Sequence, residues 1–402
     1  MTLKVFGCYL SKLMNVAQFT KRSPGRITKT LEGNPAFVPE PAPRQLRLSE
    51  EAVGLLDEAS NRLGVLQGIA RRLPNPELLI GPYLRREAVL SSRIEGTQTT
   101  LSDVYASEAQ LKLELTPDVK EVLNYVMAYR YGLGRLASLP LSLRLLRELH
   151  ERLMKGVRGA EKRPGEFRTY QNFVGGDTEH DARYVGPPPL EMKACLNDLD
   201  FFMNERTLRP LVQMAVLHYQ FEAIHPFGDG NGRVGRLLTG LFLNERDLLP
   251  QPLLYLSAYF ERSRDAYYDG LLRVSTHGDW DGWVRYVLEG VRVQSDEAIV
   301  LTDRLQALNS RYRRRLHVVH ATSNALALAD FIFVSPYLTI RMVQKRLETS
   351  HPTARAAIRA LEEQGILSEQ DPHRKWGKVF IADEVYTLIS GDDTEGEASA
   401  AV

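Results

Sequence analysis

Apolar residues recur at helical spacing along most of the chain. Within residues 48–73 they fall at Val53, Leu55, Leu56, Leu63, Leu66 and Ile69, with Ser49 placed to cap a helix and Pro74 and Pro76 placed to end it. A second helix is expected over 77–95, with Gly96 as its C-terminal cap. Thr116-Pro117-Asp118 is a helix-start signal, and amphipathic helices follow over 119–136 and 141–157. Residues 211–224 are apolar enough for a buried helix, and 234–243 repeat that character. Helices are also predicted over 189–204, from Pro252 through the aromatic segment 259–268, and over 280–317.

Three stretches break this rhythm. Residues 25–44 carry Pro35, Pro39, Pro41 and Pro43, which predicts an extended arm lying on a later domain. Residues 159–189 are rich in glycine and proline; Phe173-Val174 and Arg183-Tyr184-Val185 read as two short strands around a polar turn at 175–181. Near the C-terminus, helices at 340–347 and 351–364 are followed by Ile366-Leu367 and a segment at 378–381 flanking a polar tip, which is similar to a winged helix-turn-helix. Arg355 and Arg359 share a face of the second helix, and Arg374, Lys375 and Lys378 make the wing basic. Residues 321–390 nonetheless hold eight Lys or Arg against eight Asp or Glu, so this region is read equally as a DNA reader or as a protein-docking module.

Composition adds bounds. The 402 residues are 44% hydrophobic and 25% charged, with a net charge of +1, which suits two or three soluble domains rather than a chain whose whole surface binds nucleic acid. Cys8 and Cys195 make no disulfide framework and no apolar run reaches spanning length, so a reducing cytoplasm and no membrane are expected. Residues 1–13 lack a convincing signal-peptide pattern, and Met14 suggests a start there instead. The run Arg311-Tyr312-Arg313-Arg314-Arg315 reads as a solvated face.

The chemistry concentrates in His225-Pro226-Phe227-Gly228-Asp229-Gly230-Asn231-Gly232-Arg233-Val234-Gly235-Arg236, a turn between two helices. Gly-Asn-Gly opening a helix leaves unpaired N–H groups with no Cβ on either glycine, a setting for an anion. Arg233 and Arg236 are three apart on one helical face, and a guanidinium fork matches phosphate oxygens in pairs. Asp229 is an oxygen ligand of the kind Mg²⁺ prefers. His225 has the one side chain here whose ordinary pKa lies near neutrality, so it can take a proton from a hydroxyl.

This stretch resembles the signature of the Fic family, His-x-Phe-x-Asp/Glu-Gly-Asn-Gly-Arg-x-x-Arg, at every fixed position. The resemblance implies transfer of AMP from ATP to a Ser, Thr or Tyr hydroxyl of a protein. It makes His225 the general base, Asp229 the Mg²⁺ ligand, Gly230, Asn231 and Gly232 the anion hole, and Arg233 and Arg236 the contacts to the outer phosphates, with Val234 and Gly235 in the same nucleotide-binding turn and Phe227 a core anchor. Ser91-x-x-x-Glu95-Gly96 looks like the family's inhibitory motif, in which the glutamate pairs with the second signature arginine, here Arg236, and denies it to the γ-phosphate. Some relatives also use this glutamate to remove AMP. Tyr267 is carried over as a residue near the nucleotide, although many relatives have Asn where this chain has Ser263. The 170–188 region matches the family's flap, whose edge pairs with an extended target segment.

The reading is therefore a mainly α protein. An N-terminal extension (1–34) precedes a Fic N-terminal region with the inhibitory helix (35–115), a Fic-type helical core with a short β-hairpin flap (116–290), a helical linker (291–320), a small α+β winged helix (321–390) and a disordered tail (391–402). The expected activity is a Mg²⁺-dependent, self-restrained protein adenylyltransferase. Its partners would be ATP, a target protein along the flap, itself as a substrate, DNA or protein through 321–390, and a second copy by family resemblance. Two other readings stand beside it: a nucleotide-sensing DNA-binding regulator, and the same chemistry with another donor such as UTP or a choline-bearing nucleotide.

Overall fold

In the computed structural model, residues 14–73, 76–109, 115–176, 178–179, 181–371, 373 and 377–391 are described. Residues 1–13, Arg374 and Lys375 of the expected wing, and the tail beyond Gly391 lie outside the described residues. The fold is mainly helical, as its apolar periodicity predicts. A 3₁₀ turn, Val16–Gln18, leads into strands β1 (Gly25–Lys29) and β2 (Pro35–Pro39). Then come α1 (Glu50–Arg72), α2 (Glu77–Ile94), α3 (Leu101–Ala109), α4 (Pro117–Leu136) and α5 (Leu143–Leu153). Strands β3 (Phe173–Val174) and β4 (Tyr184–Val185) precede α6 (Pro189–Asn204), α7 (Pro210–Ile224), α8 (Asn231–Glu245), α9 (Ser257–Arg262), α10 (Arg264–His277) and α11 (Trp280–Val318). The C-terminal part holds α12 (Ser323–Phe331), β5 (Tyr337–Thr339), α13 (Ile340–Leu347), α14 (His351–Glu363), β6 (Ser368–Glu369), β7 (Val379–Ile381) and α15 (Asp383–Ser390).

The ends of the helices follow local chemistry. The hydroxyls of Ser49, Thr116 and Ser142 accept from the N–H groups of Ala52, Val119 and Leu145, starting α1, α4 and α5. Helix α7 is buried at nearly every position, which makes it the axis of the core, and α8 packs against it across the signature turn. Helix α11 runs 39 residues and lies along α1, so the two clamp the outside of the bundle.

Three expectations are corrected. The arm at 25–44 is an antiparallel hairpin, Gly25 opposite Pro39 and Lys29 opposite Pro35; Phe37 is fully buried and packs with Phe19, Val185 and Tyr184, so the hairpin braces β4. A boundary at 34/35 would cut its turn. The helix expected from Pro252 begins at Ser257 and breaks at Ser263, whose hydroxyl donates back to the Tyr259 carbonyl at 2.7 Å, giving α9 and α10. Helix α11 is continuous from Trp280 to Val318, as the periodicity over 280–317 predicts, so the helical linker expected from 291 begins inside it. The basic run at 311–315 is not only a solvated face: Arg311 pairs with Glu384, Arg313 with Asp330 at 2.7 Å, and Tyr312 is buried, its hydroxyl donating to Glu384 at 2.8 Å.

These contacts seat the C-terminal part on the core. Its three-stranded sheet has the order β5-β7-β6, all antiparallel, with α13 packed on β5 and on α14, and α14 packed on α12. The Tyr337 ring stacks on Tyr105 of α3 at 6.0 Å, and its hydroxyl shares a 2.9 Å hydrogen bond with Ser102. Helix α15 packs against both α2 and α11.

Candidate active site

A cleft of about 460 Å³ opens between the C-terminal end of α2, the α7–α8 turn, the β3–β4 hairpin and α10. His225, Gly232, Arg236, Glu95 and Tyr267 all line it. Sequence separations of up to 172 residues are thus closed by packing α2 and α10 against α7 and α8.

His225 caps α7 in the left-handed region, φ 49° and ψ 61°, and its N–H donates to the Phe221 carbonyl at 3.0 Å. A non-glycine residue held there stores about 1–3 kcal/mol of strain. Its Nδ1 lies 3.3 Å from the Glu222 carbonyl, which can only accept, so Nδ1 carries the proton and the Nε2 lone pair is free. Burial, and then the Arg168 cation, push its pKa down to about 4, so the ring is neutral at pH 7 and able to accept a proton.

Phe227 is fully buried, stacked on His150 at 3.9 Å between ring centroids and tilted against Phe167. His150 Nδ1 accepts from the Gly165 N–H, which leaves Nε2 to donate to the Asp229 carbonyl at 3.0 Å. The side chain of Asn231 folds back on the turn, accepting from Phe227 N–H and donating to Phe227 C=O. Gly230 adopts φ 74°, and a Cβ there would strike the Met154 sulfur.

Arg236 is 3% exposed. Its Nη2 donates to Glu95 Oε1 at 2.7 Å and to the Ser91 carbonyl at 2.8 Å, while its Nε donates to the Ser91 hydroxyl at 2.8 Å. Burial opposes charge on both partners, but their attraction prevails: the Glu95 carboxyl stays below its ordinary pKa and the Arg236 guanidinium above its own. A Cβ on Gly232 would overlap Glu95 Oε1, so the carboxylate sits over the first turn of α8 as well as on Arg236.

Arg233 has other partners than Arg236. It is 1% exposed, pairs with buried Glu121 at 3.2 Å, and is not among the residues lining the cleft. Glu121 also accepts from Thr97, two residues past Glu95, so the same carboxylate steadies the chain leaving α2. Asp229 accepts from the Gly230 N–H at 2.6 Å and has Lys162 and Arg233 at 3.7 and 3.8 Å. Among the described residues no three His, Cys, Asp or Glu side chains cluster as a metal cage; a single carboxylate fits the way Mg²⁺ binds beside phosphates. Val234 and Gly235 continue α8 outside the cleft lining. Tyr267 is 1% exposed, and its hydroxyl bonds His218 Nε2 at 2.9 Å, with His218 Nδ1 on the Gly235 carbonyl.

Sequence reasoning passed over three residues. Glu222 lines the cleft with Oε1 buried and unpartnered and Oε2 4.0 Å from His225 Nδ1; burial pushes its pKa up to about 8. Its place three before His225 on a helix was the available signal. Arg168 and Asn172 both reach the His225 carbonyl, at 2.9 and 3.0 Å, from a loop with no periodicity to mark them. At the flap, the Thr30 hydroxyl and the Asn34 amide of the first hairpin hold Glu179, and Arg183 pairs with Asp269 of α10.

Compared with known proteins, residues 53–134 match the Fic/DOC family N-terminal model and residues 140–243 the Fic/DOC family model. The chain is 29% identical over 206 residues to Protein adenylyltransferase Fic of Drosophila virilis, covering 49% of this chain and 39% of that protein. It is 31% identical over 152 residues to Protein adenylyltransferase Fic of Aedes aegypti, covering 37% and 27%. The match thus spans well under half the length of these curated relatives. Among solved structures, the fold is similar to a Fic family protein from Desulfovibrio desulfuricans G20, with a TM-score of 0.57 and 23% identity over 84% of this chain and 97% of that one. It is also similar to Fic-1 from C. elegans, at 0.51 and 21% over 63% and 74%. Residues 53–134 therefore hold a Fic/DOC family N-terminal domain and residues 140–243 a Fic/DOC family domain, with the complete signature inside the second.

Proposed function

We propose that the protein is a protein adenylyltransferase that restrains itself. His225 Nε2 takes the proton of a Ser, Thr or Tyr hydroxyl; that oxygen attacks the α-phosphorus of ATP, the bond to the β-phosphate bridge breaks, and pyrophosphate leaves. Gly232 and its neighbours at the start of α8 present N–H groups to the phosphates, and Arg236 takes the outer ones. Asp229 would hold Mg²⁺, which neutralises phosphate charge when bound. The target would lie along β3, on the cleft wall. The observation that carries this reading is that Glu95 holds Arg236 at 2.7 Å in the same cleft as a neutral His225 with a free Nε2. A carboxylate there stands where a phosphate would be needed.

The test is incubation of wild type, Glu95→Gly and Glu95→Gly/His225→Ala with α-labelled ATP and Mg²⁺, following label on the protein and in a lysate. Label that rises in the single variant and vanishes in the double supports the reading. No label in any of them, despite ATP binding, overturns it in favour of a nucleotide sensor or another donor.

We read residues 321–390 as a winged helix used for docking to protein. The basic residues of its second helix and wing that the structure describes face carboxylates: Arg355 lies by Glu362 at 3.5 Å, Arg359 by Glu363 at 2.9 Å and Lys378 by Glu369 at 2.6 Å. Arg355 also lies over the Phe380 ring rather than reaching outward.

A further inference from the structure

We infer that Arg168 and Asn172 are positioning residues for the transfer: they tie His225 to both roots of the β3–β4 hairpin, so that the strand receiving a target and the ring taking its proton form one rigid unit. The inference rests on the transferase reading above.

Arg168 is 4% exposed, and its guanidinium donates only to main-chain carbonyls. Two acceptors lie where α7 enters the signature turn, Ile224 at the end of α7 at 3.4 Å and His225 at 2.9 Å. The other two flank the hairpin, Tyr170 before β3 at 3.0 Å and Pro187 after β4 at 2.7 Å. Its own N–H donates to the Pro226 carbonyl at 2.9 Å, so one residue grips three consecutive positions, from the end of α7 into the turn. Asn172 adds two bonds from Nδ2, to His225 at 3.0 Å and Phe227 at 2.9 Å. The Phe227 peptide is in turn held by Asn231, which carries the tie into the first turn of α8.

Packing alone does not explain an arginine here. Among the described residues no carboxylate pairs with Arg168, and burial lowers its pKa to about 10. An apolar side chain of similar size would avoid that desolvation, and such replacements of buried ions are often neutral or stabilising. What the guanidinium alone provides is a planar fork with five donors, enough to hold two chain segments at fixed separation. The held carbonyl belongs to a residue in the left-handed region, which persists only where its surroundings impose it. With the carbonyl held, the ring is fixed with Nδ1 toward the Glu222 carbonyl and Nε2 free. Neither Arg168 nor Asn172 lines the cleft, so neither is placed to touch nucleotide.

The experiment uses the full chain carrying Glu95→Gly, with Arg168→Met, Arg168→Lys and Asn172→Ala added singly. Self-labelling rate at saturating Mg²⁺–ATP, ATP affinity by calorimetry, and the ¹⁵N imidazole signals of His225 at fixed pH are measured. Misplacing a reacting group by about an ångström costs on the order of 100-fold. Arg168→Met is therefore expected to lose about that much in rate with ATP affinity within about twofold, Arg168→Lys and Asn172→Ala to lose less, and His225 to change from a single Nδ1-protonated tautomer to an averaged one. An unchanged rate in folded Arg168→Met, or a loss that appears only as weaker ATP binding, overturns the assignment. Should Arg168→Met fail to fold, Asn172→Ala decides by the same two readouts. Should the Glu95→Gly parent transfer nothing, the transferase reading fails by itself; the His225 signals then still test the tie, and unaltered signals in both folded variants refute it.

Discussion

Replacing Glu95 by Gly perturbs one interaction whose size can be bounded from its surroundings. Arg236 is nearly fully buried and Glu95 is 31% exposed, at 2.7 Å. An exposed pair contributes about 0–1 kcal/mol, and breaking a fully buried one costs about 3–5 kcal/mol. A half-buried charge-assisted bond lies between, at roughly 2–3 kcal/mol. A phosphate competing for Arg236 has to displace that much, and at about 1.4 kcal/mol per factor of ten the restraint amounts to about 30- to 150-fold. Glu95→Gly should raise the initial rate of label transfer at low ATP by this factor. Glu95→Gln, which keeps the length but not the charge, should raise it about tenfold. Ser91 keeps its two 2.8 Å contacts with Arg236 in both variants, so the guanidinium stays in place. Initial rates across an ATP series, with thermal melts on the same samples, measure this. A rate that does not move while the melting temperature falls by a few degrees would show the pair broken without consequence, and the argument from competition for Arg236 would be wrong.

Further outcomes follow from the same geometry. Gly232→Ala places a Cβ against Glu95 Oε1 and 2.9 Å from Arg236 Nη1, so it should loosen Glu95 yet yield no gain in label, because it also covers the start of α8; a rise like that of Glu95→Gly would show that no phosphate needs this space. Stability should peak near about pH 6.5. His150, His218 and His225 are held neutral by burial, with pKa values of about 4, 3 and 4; the unfolded chain therefore binds more protons at these sites below 6.5, and stability falls with acid. Glu87 and Glu222 are raised by burial to about 7 and 8, so the folded chain holds extra protons above 4.5 and that stability is lost as pH rises through 7 and 8. Melting curves from pH 4 to 9 check this, and a profile that keeps rising to pH 8 would contradict the two buried acids. Glu222→Gln, which copies a protonated carboxyl, should cost little at pH 7 and flatten the decline above it. Titration of DNA across salt should show no steep dependence, since Arg355, Arg359 and Lys378 are paired; a slope of several released ions would restore the DNA reading.

The residue order by itself determined most of the helices of the core and the signature turn, because both depend on near neighbours. Ser49 and Thr116 cap where they stand, α7 is buried because its residues are apolar on every side, and glycines 230 and 232 open α8 within a dozen residues of His225. The link between Glu95 and Arg236 could be expected from family resemblance, but its reality as a 2.7 Å contact depends on α2 packing against α8. Tertiary structure alone separated the two arginines: spacing put them on one helical face, while Glu121 from α4 claimed Arg233 and Glu95 claimed Arg236. It alone folded the proline-rich arm into a hairpin, because burying Phe37 against the flap rewards a pairing that proline content disguises. Arg168 and Asn172 were invisible for a related reason. Their partners are main-chain carbonyls, which every residue has, so no side-chain pattern in the sequence marks where such bonds will form.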